Sequence, residues 1–218
     1  MTKGARAGRL PFPPVVLAVA GCSGSGKTTL AAELVRTLGG THFSLDHYYR
    51  DLSHLPPDER ARQDMDDPAI VESPLLAAHI GALARGEVIE RPLYDFSTYS
   101  RIADQTETVG AAGYLVVEGI FSLYYPELLP LYQFRIYVDA PDGVCFARRV
   151  KRDIEQRGRT PESVRLQYEA TVRPSGEAFV RPTLANADLV VDGTGALDWK
   201  VERVLSEMRK RGLLRFHD

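Results

Sequence analysis

The chain has 218 residues, 44% hydrophobic and 26% charged, with a net charge of −2 and a pI near 6.2. That length suits one domain, or one domain with a small insert, of ordinary globular composition, and the lack of a basic surplus argues against a general nucleic-acid partner. Two cysteines, Cys22 and Cys145, make no disulfide framework and fit a reducing cytoplasm, and the apolar run Val15–Ala20 is far too short to span a membrane.

Residues 1–13 carry Lys3, Arg6 and Arg9 without the apolar stretch of a signal peptide, and are expected to form a mobile tail, with Pro11, Pro13 and Pro14 ending it before the first strand. Residues 14–218 are expected to form one domain. Residues 14–21 (PVVLAVAG) read as a buried strand and residues 27–38 as a helix, with Leu30, Leu34 and Leu38 recurring every four residues and Gly39-Gly40 stopping it. Residues 41–46 (THFSLD) read as a second strand ending on Asp46. Residues 50–68 read as loop with one short helical stretch, and 72–84 as helix. Residues 88–110 lack a helical period and suggest a hairpin-like insert. Short apolar runs at 114–118, 134–139 and 188–192 read as further strands. A charged helical segment spans 142–173, and a closing helix spans 197–212. Strands alternating with helices predict an α/β fold with a doubly wound, mostly parallel sheet. Ligands bind beyond the carboxyl ends of such strands, and Gly21, Asp46 and Glu118 each stand at a predicted strand end, which sets them on one rim.

Residues 21–28 (GCSGSGKT) match GxxxxGK[ST] at every fixed position, between a strand and a helix. Glycines let consecutive N–H groups curl around phosphate oxygens, and the helix start adds its positive dipole end. Gly21, Ser23, Gly24, Ser25, Gly26, Lys27, Thr28 and Thr29 are therefore the expected binding set for ATP or GTP. Lys27 supplies a mobile charge, and Thr28 can offer its hydroxyl to Mg²⁺. Glu118 is placed to hold the Mg²⁺ shell, with Asp46 the second acid beside it. Asp46 is also placed to orient or deprotonate an acceptor hydroxyl. Arg149 and Arg152 share a helix face, and Arg157-Gly158-Arg159 breaks the helix with two cations. Such a segment can close over a triphosphate. A solvated, charge-laced helix is the alternative, with Asp153 and Glu155 pairing these arginines.

The blocks DHYYRDLSHLPPDER (46–60), PLYDFSTYSR (92–101), VVEGI (116–120), RRVKRDIEQRGR (148–159) and PTLANAD (182–188) follow the phosphate loop in that order. Together they resemble the uridine/cytidine kinase family across about residues 14–195. The resemblance implies a P-loop kinase fold with a β-hairpin insert (about 88–110) and an arginine-rich lid (about 142–173). It implies transfer of the γ-phosphate of ATP or GTP to the 5′-hydroxyl of uridine or cytidine in pyrimidine salvage, by a cytoplasmic homotetramer. By position, Asp46 resembles the acid acting on that hydroxyl, and Glu118 and Thr28 the Mg²⁺ shell. Asp66, Arg149 and Gln167 resemble sugar-contacting residues, and Arg152, Arg157 and Arg159 the phosphate-facing lid arginines. Tyr49, Tyr94, Phe96, Tyr99 and Ile120 fall at the nucleoside. Tyr99 stands where many members have histidine, which suggests a preference for cytidine, and VVDGTG after Asp188 departs from the family's usual run. A kinase for another small acceptor, of the phosphoribulokinase or pantothenate kinase kind, and a non-catalytic nucleotide switch are the alternative readings.

Overall fold

The computed structural model describes residues 12–60, 63–96 and 98–215; residues 1–11 of the expected tail lie outside them. The first apolar run forms β1 (Val15–Ala20), buried along its whole length. It lies at the centre of a five-stranded parallel sheet with β2 (Thr41–Ser44), β5 (Tyr114–Glu118), β6 (Phe134–Asp139) and β7 (Leu189–Asp192), in the order β2-β5-β1-β6-β7. Both faces are covered, as an all-parallel sheet requires. Alternate residues of β1 serve the two sides. Val16, Ala18 and Ala20 pack towards Leu76, Ile80 and Leu83 of a helix, α3 (Ser73–Ala84). Leu17 and Val19 pack towards Leu30 and Leu34 of α1 (Lys27–Leu38) and Val201, Val204 and Met208 of α7 (Leu197–Lys210). The chain leaves β1 between β5 and β6, so the carboxyl end of β1 is the point where the winding reverses and a crevice opens.

The hairpin expected at 88–110 is present. β3 (Val88–Asp95) and β4 (Ser100–Gly110) pair antiparallel, with the register shifting between Pro92 and Tyr94. Proline has no N–H for the ladder, so an irregularity there is its natural place. One helical turn, α2 (Pro57–Arg60), lies in the long loop before α3. The strand expected at 41–46 is shorter than the sequence suggested. It stops at Ser44, whose Oγ accepts the N–H of Asp46 at 3.2 Å and starts a 3₁₀ turn over Leu45–Tyr48. Its neighbour β5 ends opposite Ser44, at Glu118, so nothing remains for the ladder to pair with. Asp46 therefore sits on a turn beyond the sheet rather than on the last residue of a strand.

The charged segment 142–173 is helical and is broken at Gly158, as the sequence suggested. α4 (Asp142–Arg157) ends at Gly158, which takes the left-handed conformation (φ 62°) and returns its N–H to the carbonyl of Asp153. Thr160 caps α5 (Pro161–Gln167) by accepting the N–H of Ser163 at 3.2 Å. The chain continues through π-type turns at Tyr168–Val172 and Gly176–Val180, on either side of a short turn, α6 (Arg173–Ser175). No helix among the described residues is long and apolar enough to cross a membrane.

Candidate active site

A cleft of about 680 Å³ opens above the carboxyl ends of β1, β2 and β5. Its floor is the phosphate loop. Gly24 has φ +86°, and a Cβ there would run into the carbonyl of Cys145, so only glycine lets the loop pass this close to α4. Gly26, also left-handed at φ 100°, enters α1, which begins with no side-chain cap and no acid in its first turn. The free N–H groups of that turn are left to an anion. Lys27 is buried and lines the cleft with Ser23 and Thr28. The Ser25 side chain is fully buried, its Oγ without a hydrogen-bond partner among the described residues. Thr29 is exposed beside it on α1. From outside, Arg148 Nη1 donates to the carbonyls of Ser25 (3.2 Å) and Gly193 (3.1 Å), and Lys200 Nζ to Gly193 at 3.3 Å. Arg148 thus occupies a carbonyl on the outer side of the loop, and shares with Lys200 the carbonyl of Gly193 behind it.

The acids converge, Glu118 from the end of β5 and Asp46 from the turn after β2. Thr28 Oγ1 donates to Glu118 Oε2 at 3.0 Å. Burial first, and then the Glu118 carboxylate, push the Asp46 carboxyl above its ordinary value, while Lys27, Arg157 and Arg152 pull it back. Two carboxylates close enough to feel each other, with a hydroxyl between strand end and helix start, form a hard-oxygen set that a divalent cation would relieve. Mg²⁺ takes one or two protein oxygens and fills the rest of its shell with water and phosphate, so Thr28 and Glu118 with Asp46 nearby fit it.

Opposite the phosphate loop the wall is aromatic. Tyr49, Phe96, Tyr99 and Ile120 line the cleft. Tyr94 does not. It packs behind them, its centroid 5.5 Å from Tyr49 and 5.0 Å from Phe96, with its hydroxyl buried and unpartnered among the described residues. Tyr94 is still on β3, paired with Arg101, whereas Phe96 lies just past the strand end, and of the two only Phe96 reaches the cleft. Arg101 fixes the hairpin tip to the rest of the molecule through the Tyr49 carbonyl (3.1 Å) and the Glu72 carboxylate (2.7 Å). Between phosphate loop and aromatic wall lie Asp66 and Arg149, both buried. Arg149 Nη1 donates to Ser23 Oγ at 3.0 Å and Nη2 to Gln167 Oε1 at 3.1 Å. Burial raises the Asp66 carboxyl and Arg149 lowers it again.

The arginines of α4 and of the turn that follows it meet on one acid. Asp153 is fully buried and lies 2.8 Å from Arg152, 3.6 Å from both Arg149 and Arg157, and 3.7 Å from Arg159. All four arginines line the cleft. The pairing considered for a solvated helix does occur, but buried, and it gathers the cations instead of dispersing them. Sequence reasoning placed the arginines in the site and left Asp153 as a mere partner. The i,i+4 spacing of Arg149, Asp153 and Arg157 was the available signal. Arg148 and Lys200 carried none, because they reach the phosphate loop from elements far along the chain.

Residues 16–199 match the Phosphoribulokinase / Uridine kinase family. The chain is 41% identical over 202 residues to a uridine kinase of Chloroflexus aggregans, an alignment covering 89% of this chain and 96% of that protein. It is 43% identical over 198 residues to a uridine kinase of Deinococcus deserti, covering 88% and 95%. Among solved structures, the phosphoribulokinase of Rhodobacter spheroides superposes with a TM-score of 0.54 at 14% identity, covering 84% of this chain and 73% of that one. That likeness shows a shared fold.

Proposed function

The chain belongs to the phosphoribulokinase/uridine kinase family of P-loop kinases, and we propose that it phosphorylates the 5′-hydroxyl of uridine, cytidine or both, with ATP or GTP and Mg²⁺, giving UMP or CMP in pyrimidine salvage. One observation carries this reading: a phosphate loop, two carboxylates and an aromatic wall share a single cleft. An acceptor that already bears a phosphate calls for cations at the far wall. Tyr49, Phe96 and Tyr99 instead suit a neutral ring.

In this reading the amides of the phosphate loop and Lys27 hold the β- and γ-phosphates. Thr28 and Glu118, with Asp46 at hand, hold Mg²⁺, which when bound neutralises charge between the phosphates. Asp66, Arg149 and Gln167 hold the ribose, and Phe96 and Tyr99 lie against the base. Asp46 accepts the 5′-hydroxyl proton as that oxygen takes the γ-phosphoryl group and the nucleoside diphosphate leaves. Arg152, Arg157 and Arg159 supply countercharge in cis. The working enzyme is a cytoplasmic homotetramer.

Tyr99 adopts φ 52°, a left-handed conformation uncommon for a tyrosine and typical of residues held for function. Its oxygen can accept from the cytosine amino group, which favours cytidine. A coupled assay of ADP release with uridine, cytidine, adenosine, ribulose 5-phosphate and pantothenate tests both claims. Turnover on pyrimidine nucleosides alone supports the kinase reading, and activity elsewhere or none overturns it. Equal kcat/KM on cytidine and uridine removes the role of Tyr99.

A further inference from the structure

We infer that His42 is a positioning residue for Glu118, holding from the edge strand the carboxylate oxygen that Thr28 leaves free. The inference deepens the reading of Glu118 as the acid of the Mg²⁺ site, and rests on it. The register of β2 on β5 sets His42 opposite Val116 and Ser44 opposite Glu118. Alternate residues of a strand share a face, so His42 and Glu118 are diagonal neighbours on the same side of the sheet. That side carries α1, whose Thr28 donates to Glu118 Oε2 at 3.0 Å. His42 Nε2 lies 3.9 Å from the other oxygen, Oε1. The Glu118 side chain is 4% exposed, so its orientation is decided by what it touches. His42 Nε2 is itself buried and without a hydrogen-bond partner among the described residues, although the rest of the ring is partly exposed.

A buried ring nitrogen rarely goes unsatisfied. The acceptor it faces is Glu118 Oε1, and a small rotation of either side chain brings 3.9 Å within donor range. The ring N–H at Nε2 then donates to Oε1 while Thr28 occupies Oε2. Held at both oxygens, the carboxylate has one orientation before any cation arrives. Partners that orient metal ligands in this way typically matter 10–100-fold to metal affinity. Here the phosphates hold much of the ion, so the effect should be smaller, roughly 3- to 10-fold.

The test uses Mn²⁺ as a paramagnetic stand-in for Mg²⁺. Its binding to the full-length protein with ADP is titrated by electron paramagnetic resonance, and binding of ADP alone is measured in EDTA. Three proteins are compared: wild type, His42→Val, which suits an edge strand but donates nothing, and His42→Gln, which keeps a side-chain N–H. The expected result is Mn²⁺ affinity in the ADP complex 3- to 10-fold weaker for His42→Val, within about twofold of wild type for His42→Gln, and metal-free ADP binding unchanged in both. Equal Mn²⁺ affinity in His42→Val and wild type overturns the inference. So does an equal loss in both variants, or a parallel loss of metal-free ADP binding, since each then reports general disturbance of β2. Tight Mn²⁺·ADP binding by a wild type that phosphorylates no nucleoside sinks the acceptor reading and leaves His42 standing. No Mn²⁺ binding by the wild-type ADP complex sinks the metal reading and the role of His42 together.

Discussion

The guanidinium of Arg157, at the end of α4, lies over the ring of Phe96 at the hairpin bend, 5.6 Å from its centroid. The arginine-rich segment proposed to face the phosphates and the wall proposed to face the base are thus in direct contact across the cleft. Phe96→Ala removes both a cation–π partner and an edge-to-face ring contact with Tyr49 and Tyr94. In the proposed pocket it also removes a ring lying against the base, a stacking contact worth about 1–2 kcal/mol. The nucleoside KM should rise roughly 5- to 30-fold, and Phe96→Leu should fall between. Steady-state kinetics at saturating donor check this; an unchanged KM in Phe96→Ala removes Phe96 from the pocket.

Asp46 as acceptor of the hydroxyl proton must be ionised to work. Its carboxyl is held above its ordinary value by burial and by Glu118. The acid limb of kcat/KM against pH should therefore lie above the usual aspartate range. Arg152 and Arg157 hold that carboxyl down, so Arg157→Gln should move the limb to higher pH. Asp46→Asn should lower kcat by about 10²- to 10⁴-fold while leaving ADP binding intact. Near-normal turnover in Asp46→Asn takes the residue out of the chemistry.

The same shift makes a prediction about stability. A carboxyl whose folded-state pKa is raised favours the folded state only while protonated. That contribution is complete below the unfolded value and is lost as pH rises through the folded one. At neutral pH the protein bears the cost of an ionised Asp46, so Asp46→Asn should raise Tm at pH 7.5 in the absence of ligand. The gain should shrink towards pH 4. Thermal melts at the two pH values decide it, and a lower Tm at pH 7.5 contradicts the reading. A site residue that costs stability is a common trade.

Asp153 should behave in the opposite way. It is fully buried among four arginines. Asp153→Ala leaves those cations facing one another and should destabilise the protein by about 3–5 kcal/mol. Urea denaturation measures this directly. A change under 1 kcal/mol would mean that the arginines hold their places without it.

Much of this protein is legible in order along the chain. The phosphate loop, its strand and its helix are local, because glycine, lysine and threonine at fixed spacing dictate a backbone shape whatever surrounds it. The apolar runs and the breaks between them determine the strands, and the missing helical period of residues 88–110 points to the hairpin. Their carboxyl ends place Asp46 and Glu118 on one rim without any knowledge of the contacts.

The tertiary structure decided what those residues touch. Asp46 stands on a turn because β5 ends opposite Ser44 and offers no further partner. Tyr94, still on β3, packs behind Phe96 rather than lining the cleft. His42 meets Glu118 through a register between strands more than seventy residues apart in sequence, and Arg148 reaches the phosphate loop, with Lys200 on Gly193 behind it, from helices well over a hundred residues beyond the loop. Periodicity and motif spacing report the forces acting within a few residues. Contacts between distant segments depend on sheet order, register and packing, which no local window of sequence contains.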